Sequence, residues 1–269
     1  MKYLKTTIPL LMIIALFFDW SFVLSGGKTT SDVTDLERDN SPEYWGRTDD
    51  VNLDLLGDVT ISVWINAESW AGVGAGWNSI VAKGTHATGY DLHGLTEDGN
   101  RFRVYQNATE MLVHTVTLPT ATWIHLAYTC DDVGGAGSAQ FYYNGTGTTS
   151  GTCTLNNNNL LDFRIGSNND ATNRNFDGLI ADVRIWARIL TATEITNLRV
   201  TPCTFDNGNA LKGQWLFDEG TGTSAADQST STATLTGVNT PAWLSSAPYT
   251  ACVAGGGAAP EVPQIIWFE

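Results

Sequence analysis

The sequence predicts an all-β fold with one short helix, on the basis of its composition, one alternating stretch and two turn dipeptides. The 269 residues include ten tryptophans and 27 glycines, whereas lysine and arginine together number only 14. Abundant aromatic and turn-forming residues are typical of a turn-rich β protein. The length fits one large β domain with tails, or two small domains.

The formal net charge of −14 excludes one class of partner. An acidic surface repels phosphate backbones, so nucleic-acid binding is not expected. The charge by itself identifies no partner.

Residues 1–25 have the pattern of a secretory signal. Lys2 and Lys5 precede an apolar run over residues 8–18, and Ser25 ends a small-residue cleavage site. An uncleaved N-terminal anchor is the alternative, although the run is short for a span that needs about 20 residues. We therefore expect a secreted, extracellular or cell-surface protein, with membrane contact only if this segment is retained. Residues 26–35 are predicted to be a polar linker.

Strands are predicted throughout the first part of the domain. In the strand that begins near Thr60, Ile61, Val63 and Ile65 alternate toward the core. The dipeptides Asp98-Gly99 and Asn144-Gly145 predict tight hairpins. The other predicted strands cover residues 80–83, 90–96, 101–106, 110–115, 123–129, 140–143, 148–155 and 162–166.

The alternating stretch covers residues 175–198 and carries the strongest pattern. Four apolar residues recur at every second position, which predicts a strand with these side chains on one face and Asp182 and Arg184 on the other. The four are Leu179, Ala181, Val183 and Ile185.

One short helical turn is predicted directly after this strand. Thr191 and Glu194 have the spacing of a capping box, in which the N-cap and the third helical residue bond each other's backbone. Leu190 and Ile195 stand where a hydrophobic staple would close the start of the helix.

These motifs resemble the laminin G-like, concanavalin A-like jelly-roll superfamily, which includes the pentraxins. Members carry an F-x-G-x-(I/L)-x-(D/E)-V-x-(I/M)-(W/Y) strand followed by an L-(S/T)-x-x-E-I helix. The matching residues here are Phe176, Gly178, Ile180, Asp182, Val183, Ile185, Trp186, Leu190, Thr191, Glu194 and Ile195. The resemblance implies a two-sheet antiparallel jelly-roll sandwich.

The resemblance also implies one domain over residues 36–253. Weaker matches are the Asp58, Thr60 and Trp64 strand and the strand with Trp123 and His125. Residues 211–243 resemble a segment of bacterial laminin G-like proteins. They are predicted to be closing strands of the same sandwich, since so few residues could hardly bury a separate core. Residues 254–269 are predicted to be a Gly/Pro-rich tail.

The four cysteines fit an exported protein with two disulfides. We expect Cys130 to pair with Cys153 and Cys203 with Cys252, because each pair brackets a continuous β segment. The sequence leaves all three possible pairings open.

Catalytic chemistry has little support in the sequence, and the protein is predicted not to be an enzyme. The resemblance implies that related glycoside hydrolases alternate two carboxylates on one strand. The nearest match, Glu37, Asp39 and Glu43, has the wrong spacing and is interrupted by Pro42. No metalloprotease or nucleophile-elbow motif accompanies the four histidines.

Calcium is the one cofactor that the sequence suggests. Pentraxins place calcium ligands in the loop that corresponds here to Asn168, Asn169 and Asp170. Asn78 matches a further ligand position. Hard oxygens of this kind suit calcium, but the loop has fewer acidic residues than in pentraxins. A plain Asn-rich turn is the alternative interpretation, and Asp49–Asp50 and Asp131–Asp132 are weaker candidate sites.

A ligand site is predicted where aromatic and amide side chains meet at a rim loop. Trp70 and Trp77 flank a glycine-rich loop, and Asn78 follows. Rings of this kind stack on sugars while amides bond hydroxyls. Each tryptophan could equally be an anchor that folds the loop back onto the sandwich.

Two functions remain open at this point. The first is a secreted, non-catalytic recognition module that binds glycans or a protein at its rim loops, with or without calcium. The second is a structural or adhesive surface protein that assembles through its termini as a homo-oligomer. The fold alone does not decide between them.

Overall fold

The computed structural model describes residues 32–38, 41–70, 77–95, 100–132, 137–154, 158–170, 174–205 and 207–249. These ranges contain strands, one α-helix, α1 (Ala192–Val200), and two short 3₁₀ helices. In chain order the strands are β1 (Val33–Leu36), β2 (Tyr44–Arg47), β3 (Val59–Ala67), β4 (Trp77–Gly84), β5 (Gly89–Leu95), β6 (Arg101–Gln106), β7 (Thr109–Thr115), β8 (Ile124–Asp131), β9 (Gly137–Tyr143), β10 (Thr146–Cys153), β11 (Phe163–Ile165), β12 (Gly178–Trp186), β13 (Leu211–Trp215), β14 (Ser224–Ala225), β15 (Leu235–Val238) and β16 (Ala242–Leu244).

The strands form two antiparallel sheets of eight strands each. The first sheet has the order β10-β9-β8-β3-β12-β1-β16, and β13 also pairs with β12. The second has the order β14-β15-β2-β11-β4-β5-β6-β7. Apolar side chains from both sheets form one buried cluster between them. The predicted all-β jelly-roll sandwich with one short helix is thus confirmed.

The inner face of β3 follows the predicted alternation. Ile61, Val63 and Ile65 are buried in the same cluster as Leu92 and Val104 of the second sheet. Removing a side chain of this size from water contributes about 1.5–3 kcal/mol each, so this layer is a main source of stability.

The central strand β12 differs from its predicted pattern. Ile180, Val183 and Ile185 face the core, whereas Leu179 and Ala181 lie in a separate cluster on the outer side of the sheet. The prediction that one face carries 179, 181, 183 and 185 is therefore wrong. The pairing with β3 shifts between Ala181 and Arg184, and a bulge of this kind moves the following side chains to the opposite face.

Asp182 occupies the bulge with a φ of 45°. Its two carboxylate oxygens accept hydrogen bonds from Arg184 Nε at 2.6 Å and Nη2 at 3.0 Å. Both side chains are buried, and a buried charge is tolerated when it is paired and hydrogen-bonded. The pair therefore compensates the two charges that the bulge brings into the interior.

Helix α1 starts as predicted. The Thr191 backbone N–H donates to Glu194 Oε2 at 2.7 Å, and the Glu194 N–H donates to Thr191 Oγ1 at 3.2 Å, which completes the capping box. Leu190 and Ile195 are fully buried in one cluster with Trp186. The helix has nine residues, longer than the single turn predicted.

The last strands pair with earlier strands of both sheets. Strand β13 pairs with β12, β15 with β2, and β16 with β1. Strand β1 begins at Val33, so its first three residues fall within the predicted linker.

Several local predictions can be compared directly. Cys130 and Cys153 form the predicted disulfide, which joins the ends of β8 and β10. Asn144 and Gly145 both have positive φ in the hairpin between β9 and β10. Cys203 is also disulfide-bonded, but its predicted partner, Cys252, lies outside the described residues.

The signal at 1–25, the tail at 254–269 and the Asp98-Gly99 turn also lie outside the described residues. Among the helices that the structure does describe, none has the length and apolar character needed to cross a membrane.

Candidate functional site

The outer face of the second sheet carries an unusual set of polar and aromatic side chains. Along β5 and β6, Tyr90, Leu92, Phe102 and Val104 face the core, so the residues between them face outward. The outward residues are Asp91, His93, Arg103 and Tyr105. In the sheet, Asp91 lies beside Tyr105 and His93 beside Arg103.

Five of these and neighbouring side chains form what we call the Trp77 cluster: Trp77, His86, His93, Tyr105 and Arg174. The His93 ring stacks on Trp77 with a centroid distance of 4.7 Å and an angle of 16°. His86 lies 4.5 Å from both Trp77 and Tyr105. The Arg174 guanidinium carbon is 4.1 Å from the centroid of Trp77, within the range of a cation–π interaction.

The inner part of the cluster is buried, and its outer part is accessible to solvent. His93 is fully buried, whereas Trp77, His86, Tyr105 and Arg174 are partly exposed. Neither ring nitrogen of His93 has a hydrogen-bond partner among the described residues. Its Nδ1 lies 3.6 Å from Asp91 Oδ1. The mutual ring contacts hold the exposed side chains in place before any ligand arrives.

Two ionisable groups of the cluster are held in their neutral forms. Burial, and then the positive charge of Arg174, lower the pKa of His86, so its ring is neutral at pH 7. Burial raises the pKa of Tyr105, so its hydroxyl keeps its proton. Asp91 is buried, and its Oδ2 accepts hydrogen bonds from Ser79 and Asn168.

The predicted ligand residues separate into one surface and two interior positions. Trp77 is on the surface, in the cluster. Trp70 is only 6% exposed and packs edge-on against Phe102 and Phe176. Its Nε1 donates to the Pro119 carbonyl at 2.6 Å. A ring enclosed in this way cannot stack on a sugar, so Trp70 has the position of a loop anchor.

Asn78 is also interior. Its Oδ1 accepts a hydrogen bond from Arg38 Nη1 at 2.8 Å, and its Nδ2 donates to the carbonyls of Trp70 and Gly94. The side chain is fully buried. Asn78 therefore fastens Trp70 and its neighbours to the sheet, and it offers no group to a surface ligand.

The three predicted metal ligands do lie together, and two of their four side-chain oxygens already have partners within the protein. Asp170 Oδ2 is 2.6 Å from Arg174 Nη1 and accepts a hydrogen bond from the His86 backbone N–H. Asn168 Oδ1 accepts from the Asp170 N–H at 3.0 Å. Among the described residues, Asn169 Oδ1 is buried without a hydrogen-bond partner, and Asp170 Oδ1 accepts no hydrogen bond.

This donor set does not fit calcium, which takes six to eight oxygens. Arg174 already neutralises the single carboxylate, and Arg164 Nη1 donates to the Asn168 carbonyl from the other side at 2.8 Å. Two guanidinium groups thus hold the loop. In the described ranges no group of three or more His, Cys, Asp or Glu side chains is close enough to hold a metal.

The weaker candidate at Asp49 and Asp50 is occupied in the same manner. Lys83 Nζ lies 2.8 Å from Asp49 Oδ1, and Arg47 Nε lies 2.8 Å from Asp50 Oδ2. Cationic side chains of this protein stand beside both carboxylates.

Two of the three carboxylates compared with the glycoside hydrolase pattern, Glu37 and Glu43, contact each other. Glu37 and Glu43 bond each other's backbone across a turn, with the Glu37 N–H donating to Glu43 Oε2 and the Glu43 N–H donating to the Glu37 carbonyl. Glu37 is exposed, and Asp39 lies outside the described residues.

Sequence reasoning missed four members of the cluster: His86, His93, Tyr105 and Arg174. The signal that could have found two of them is the alternation of polar and apolar residues in β5 and β6, which places His93 and Tyr105 on the outer face. The contributions of His86 and Arg174 come from loops, and no periodic pattern marks them.

Comparison with known proteins gives matches to one superfamily. The profile of the concanavalin A-like lectin/glucanase superfamily, laminin G type, matches residues 40–196. The adhesion G-protein coupled receptor V1 of Danio rerio is 27% identical over 164 residues, which is 58% of this chain and 2% of the receptor. The chain therefore spans a very small part of that relative.

Two solved structures have similar folds. A candidate carbohydrate-binding protein from Bacteroides ovatus superposes with a TM-score of 0.61 at 19% identity, over 81% of this chain and 60% of that one. A heptameric pentraxin of the serum amyloid P type from Limulus polyphemus has a TM-score of 0.49 at 12% identity, over 67% and 87% of the two chains.

Proposed function

Because the chain belongs to the concanavalin A-like lectin/glucanase superfamily, we propose that it is a non-catalytic recognition module that binds glycans through the Trp77 cluster. The observation that carries the proposal is the cluster itself, in which partly exposed aromatic rings are held on an outer sheet face by a buried histidine. The similar fold of a candidate carbohydrate-binding protein supports this choice of ligand.

The proposed mechanism is contact with aromatic rings combined with hydrogen bonds from fixed donors. His93 and Arg174 lie over the Trp77 ring, so Trp77 offers a sugar its exposed edge rather than an open face. Tyr105 adds aromatic surface, and Arg174 supplies the guanidinium N–H groups that do not face Asp170. Glu110, which lies 3.0 Å from Arg103 Nε, adds a carboxylate at the margin of the cluster. Because the rings already pack against one another, little side-chain entropy is lost when a sugar binds.

The non-catalytic assignment rests on the state of the nearby carboxylates. Asp91 is buried and Asp170 is paired with Arg174, which leaves Glu110, beside Arg103, without a second carboxyl group to face it. Hydrolysis of a glycosidic bond requires two carboxyl groups that face each other across the substrate. Neither Asp91 nor Asp170 is available for that role.

A glycan array of the purified chain tests the proposal. We expect binding to at least one glycan by the wild type and a loss of that binding in Trp77→Ala. Trp123→Ala is the matched control. Trp123 is also a partly exposed tryptophan, but it packs on the outer face of the first sheet. Wild-type binding that survives Trp77→Ala would contradict the proposal.

Calcium assistance is tested by repeating the array with calcium and with a chelator. Since Arg174 neutralises Asp170, we expect the same binding under both conditions. A loss of binding in chelator would restore the metal site predicted at Asn168, Asn169 and Asp170.

An extracellular adhesive role is the second candidate. The match to an adhesion receptor favours it, as does the predicted secretory signal. In this case the partner is a protein or a second copy of the chain. Binding to no glycan, together with concentration-dependent self-association in sedimentation velocity, would favour this alternative.

A further inference from the structure

A second concave feature lies on the same sheet face, away from the Trp77 cluster. It is a cavity of about 340 Å³ over strands β15, β2 and β11. We call it the Gly46 groove, because Gly46 forms its floor between Thr236 and Arg164 in the sheet. Ligand pockets begin at about 300 Å³, so the groove has the size of a small-ligand site.

The floor is open because Gly46 has no side chain. A Cβ built at this position would lie 3.2 Å from Tyr44 Cε2 and would point into the groove. Gly46 does not have a positive φ, so its backbone does not require glycine. A glycine in the interior of a strand often marks a place where a ligand or another backbone approaches closely.

The walls of the groove carry three threonine hydroxyl groups that are available to a ligand. Thr48, Thr234 and Thr236 line the groove and are exposed. Within the ranges that the structure describes, their hydroxyls make no hydrogen bond. Each hydroxyl can donate one hydrogen bond and accept two.

The charged groups in the walls are balanced. Asp162 lies 3.3 Å from Arg164 Nη2, and Arg47 Nε lies 2.8 Å from Asp50 Oδ2. The Arg164 guanidinium also covers one side of the Tyr44 ring at 4.6 Å. The groove therefore has little net charge, while both donors and acceptors remain accessible.

We propose that the Gly46 groove is a second saccharide subsite, for a neutral, hydroxyl-rich sugar. Free hydroxyls beside a carboxylate and a guanidinium match the alternating donors and acceptors of a sugar ring. An anion would meet Asp162, and an apolar ligand would leave the hydroxyls without partners. The inference rests on the proposed glycan-binding function and adds a site to it.

The groove is separate from the Trp77 cluster. Strand β2 is two strand spacings from β4, which carries Trp77, and three from β5, or about 10 Å and about 14 Å. Residues 167–170 lie between the two sites, where Asn168 contacts both Arg164 and Asp91. A disaccharide would occupy one site. A longer glycan that contacts both would gain affinity from the linkage.

The test uses an array of neutral oligosaccharides, with calorimetry on each one that the wild type binds. Gly46→Val fills the floor, and Thr236→Val removes one hydroxyl without a change of shape. Gly147→Val is the matched control, since this glycine is in edge strand β10 and a Cβ there meets nothing closer than 3.4 Å. We expect Gly46→Val to abolish binding of at least one glycan and Thr236→Val to weaken it about fivefold.

The outcomes separate this proposal from the function on which it rests. If both groove variants bind every glycan as the wild type does, while Trp77→Ala loses binding, the groove is not a subsite and the Trp77 cluster stands. If all three variants match the wild type, or the wild type binds no glycan, both proposals are refuted. A loss of binding in Gly147→Val equal to that in Gly46→Val would also refute the groove.

Discussion

Replacement of Asp35 by asparagine should stabilise the protein at neutral pH. Asp35 lies in β1 between β12 and β16, and its Oδ1 is buried without a hydrogen-bond partner in the part of the chain that the structure describes. Burial raises the pKa of this carboxyl from 3.8 to about 6, and the charges of Glu68, Glu37, Glu43 and Asp177 add to the effect. Asparagine has nearly the same shape and no charge.

The size and sign of the effect follow from the pKa of Asp35. A folded-state pKa above the unfolded one means that the folded protein holds this proton more tightly, so stability falls as the pH rises from about 3.8 to about 6 and then levels off. A shift of about two units corresponds to about 3 kcal/mol as an upper limit. Since the group is only partly buried, solvent screening reduces this to about 1–2 kcal/mol.

Urea denaturation at pH 4 and pH 8 measures the effect. We expect Asp35→Asn to be about 1–2 kcal/mol more stable than the wild type at pH 8 and nearly equal to it at pH 4. Asp131→Asn, at an exposed carboxylate that is not among the charges acting on Asp35, should change stability by less than about 0.5 kcal/mol. A variant that is less stable at pH 8, or that gains the same amount at both pH values, would refute the reasoning.

Two further substitutions test single interactions by the same urea assay. Lys83 is fully buried, with its Nζ 2.8 Å from Asp49, 2.6 Å from Asp54 and 2.7 Å from the Asn159 carbonyl. Lys83→Met should cost about 3–5 kcal/mol because it leaves carboxylates without a counter-charge; a loss no larger than that of partly exposed Lys212→Met would contradict this. Thr191→Ala removes the N-cap and should cost about 1 kcal/mol, and an effect equal to that of exposed Thr193→Ala would show that the cap is unimportant.

The sequence predicts well where the responsible contacts are local. The capping box of Thr191 and Glu194 needs residues three positions apart, and the structure contains it. The turn at Asn144-Gly145 needs only two residues that adopt positive φ. In each case the chemistry and its partner lie within one short segment, so no tertiary information is required.

Prediction fails where a distant residue decides the outcome. Trp70 and Trp77 flank the same loop, but only Trp70 enters the core. The cause is Gly94 on β5, where any Cβ would overlap the Trp70 ring. Nothing near Trp70 in the sequence reveals that space. The bulge at Asp182 has the same character, since it arises from the register with β3 and is compensated by Arg184.

The loop predicted to bind calcium also depends on distant residues. The Asn168-Asn169-Asp170 loop has the composition of a calcium site, but Arg174 and Arg164 reach it from outside the three residues. Whether an oxygen is free for a metal depends on which cations the fold brings beside it. The array with calcium and with chelator decides whether the role that the resemblance implied survives beside these arginines.

The pairing of β1 with β16 fixes how a load would act on this domain. Val33 lies opposite Leu244 at the margin of the first sheet, so the first and last strands of the sandwich have neighbouring outer ends, about 5 Å apart. The chain beyond Leu244 stays on the same sheet, because Tyr249 packs against Trp64 and Ser245 Oγ donates to Asp32 Oδ1 at 2.7 Å. Tension applied to the described ends would therefore have to detach these contacts before it could separate β16 from β1 one hydrogen bond at a time.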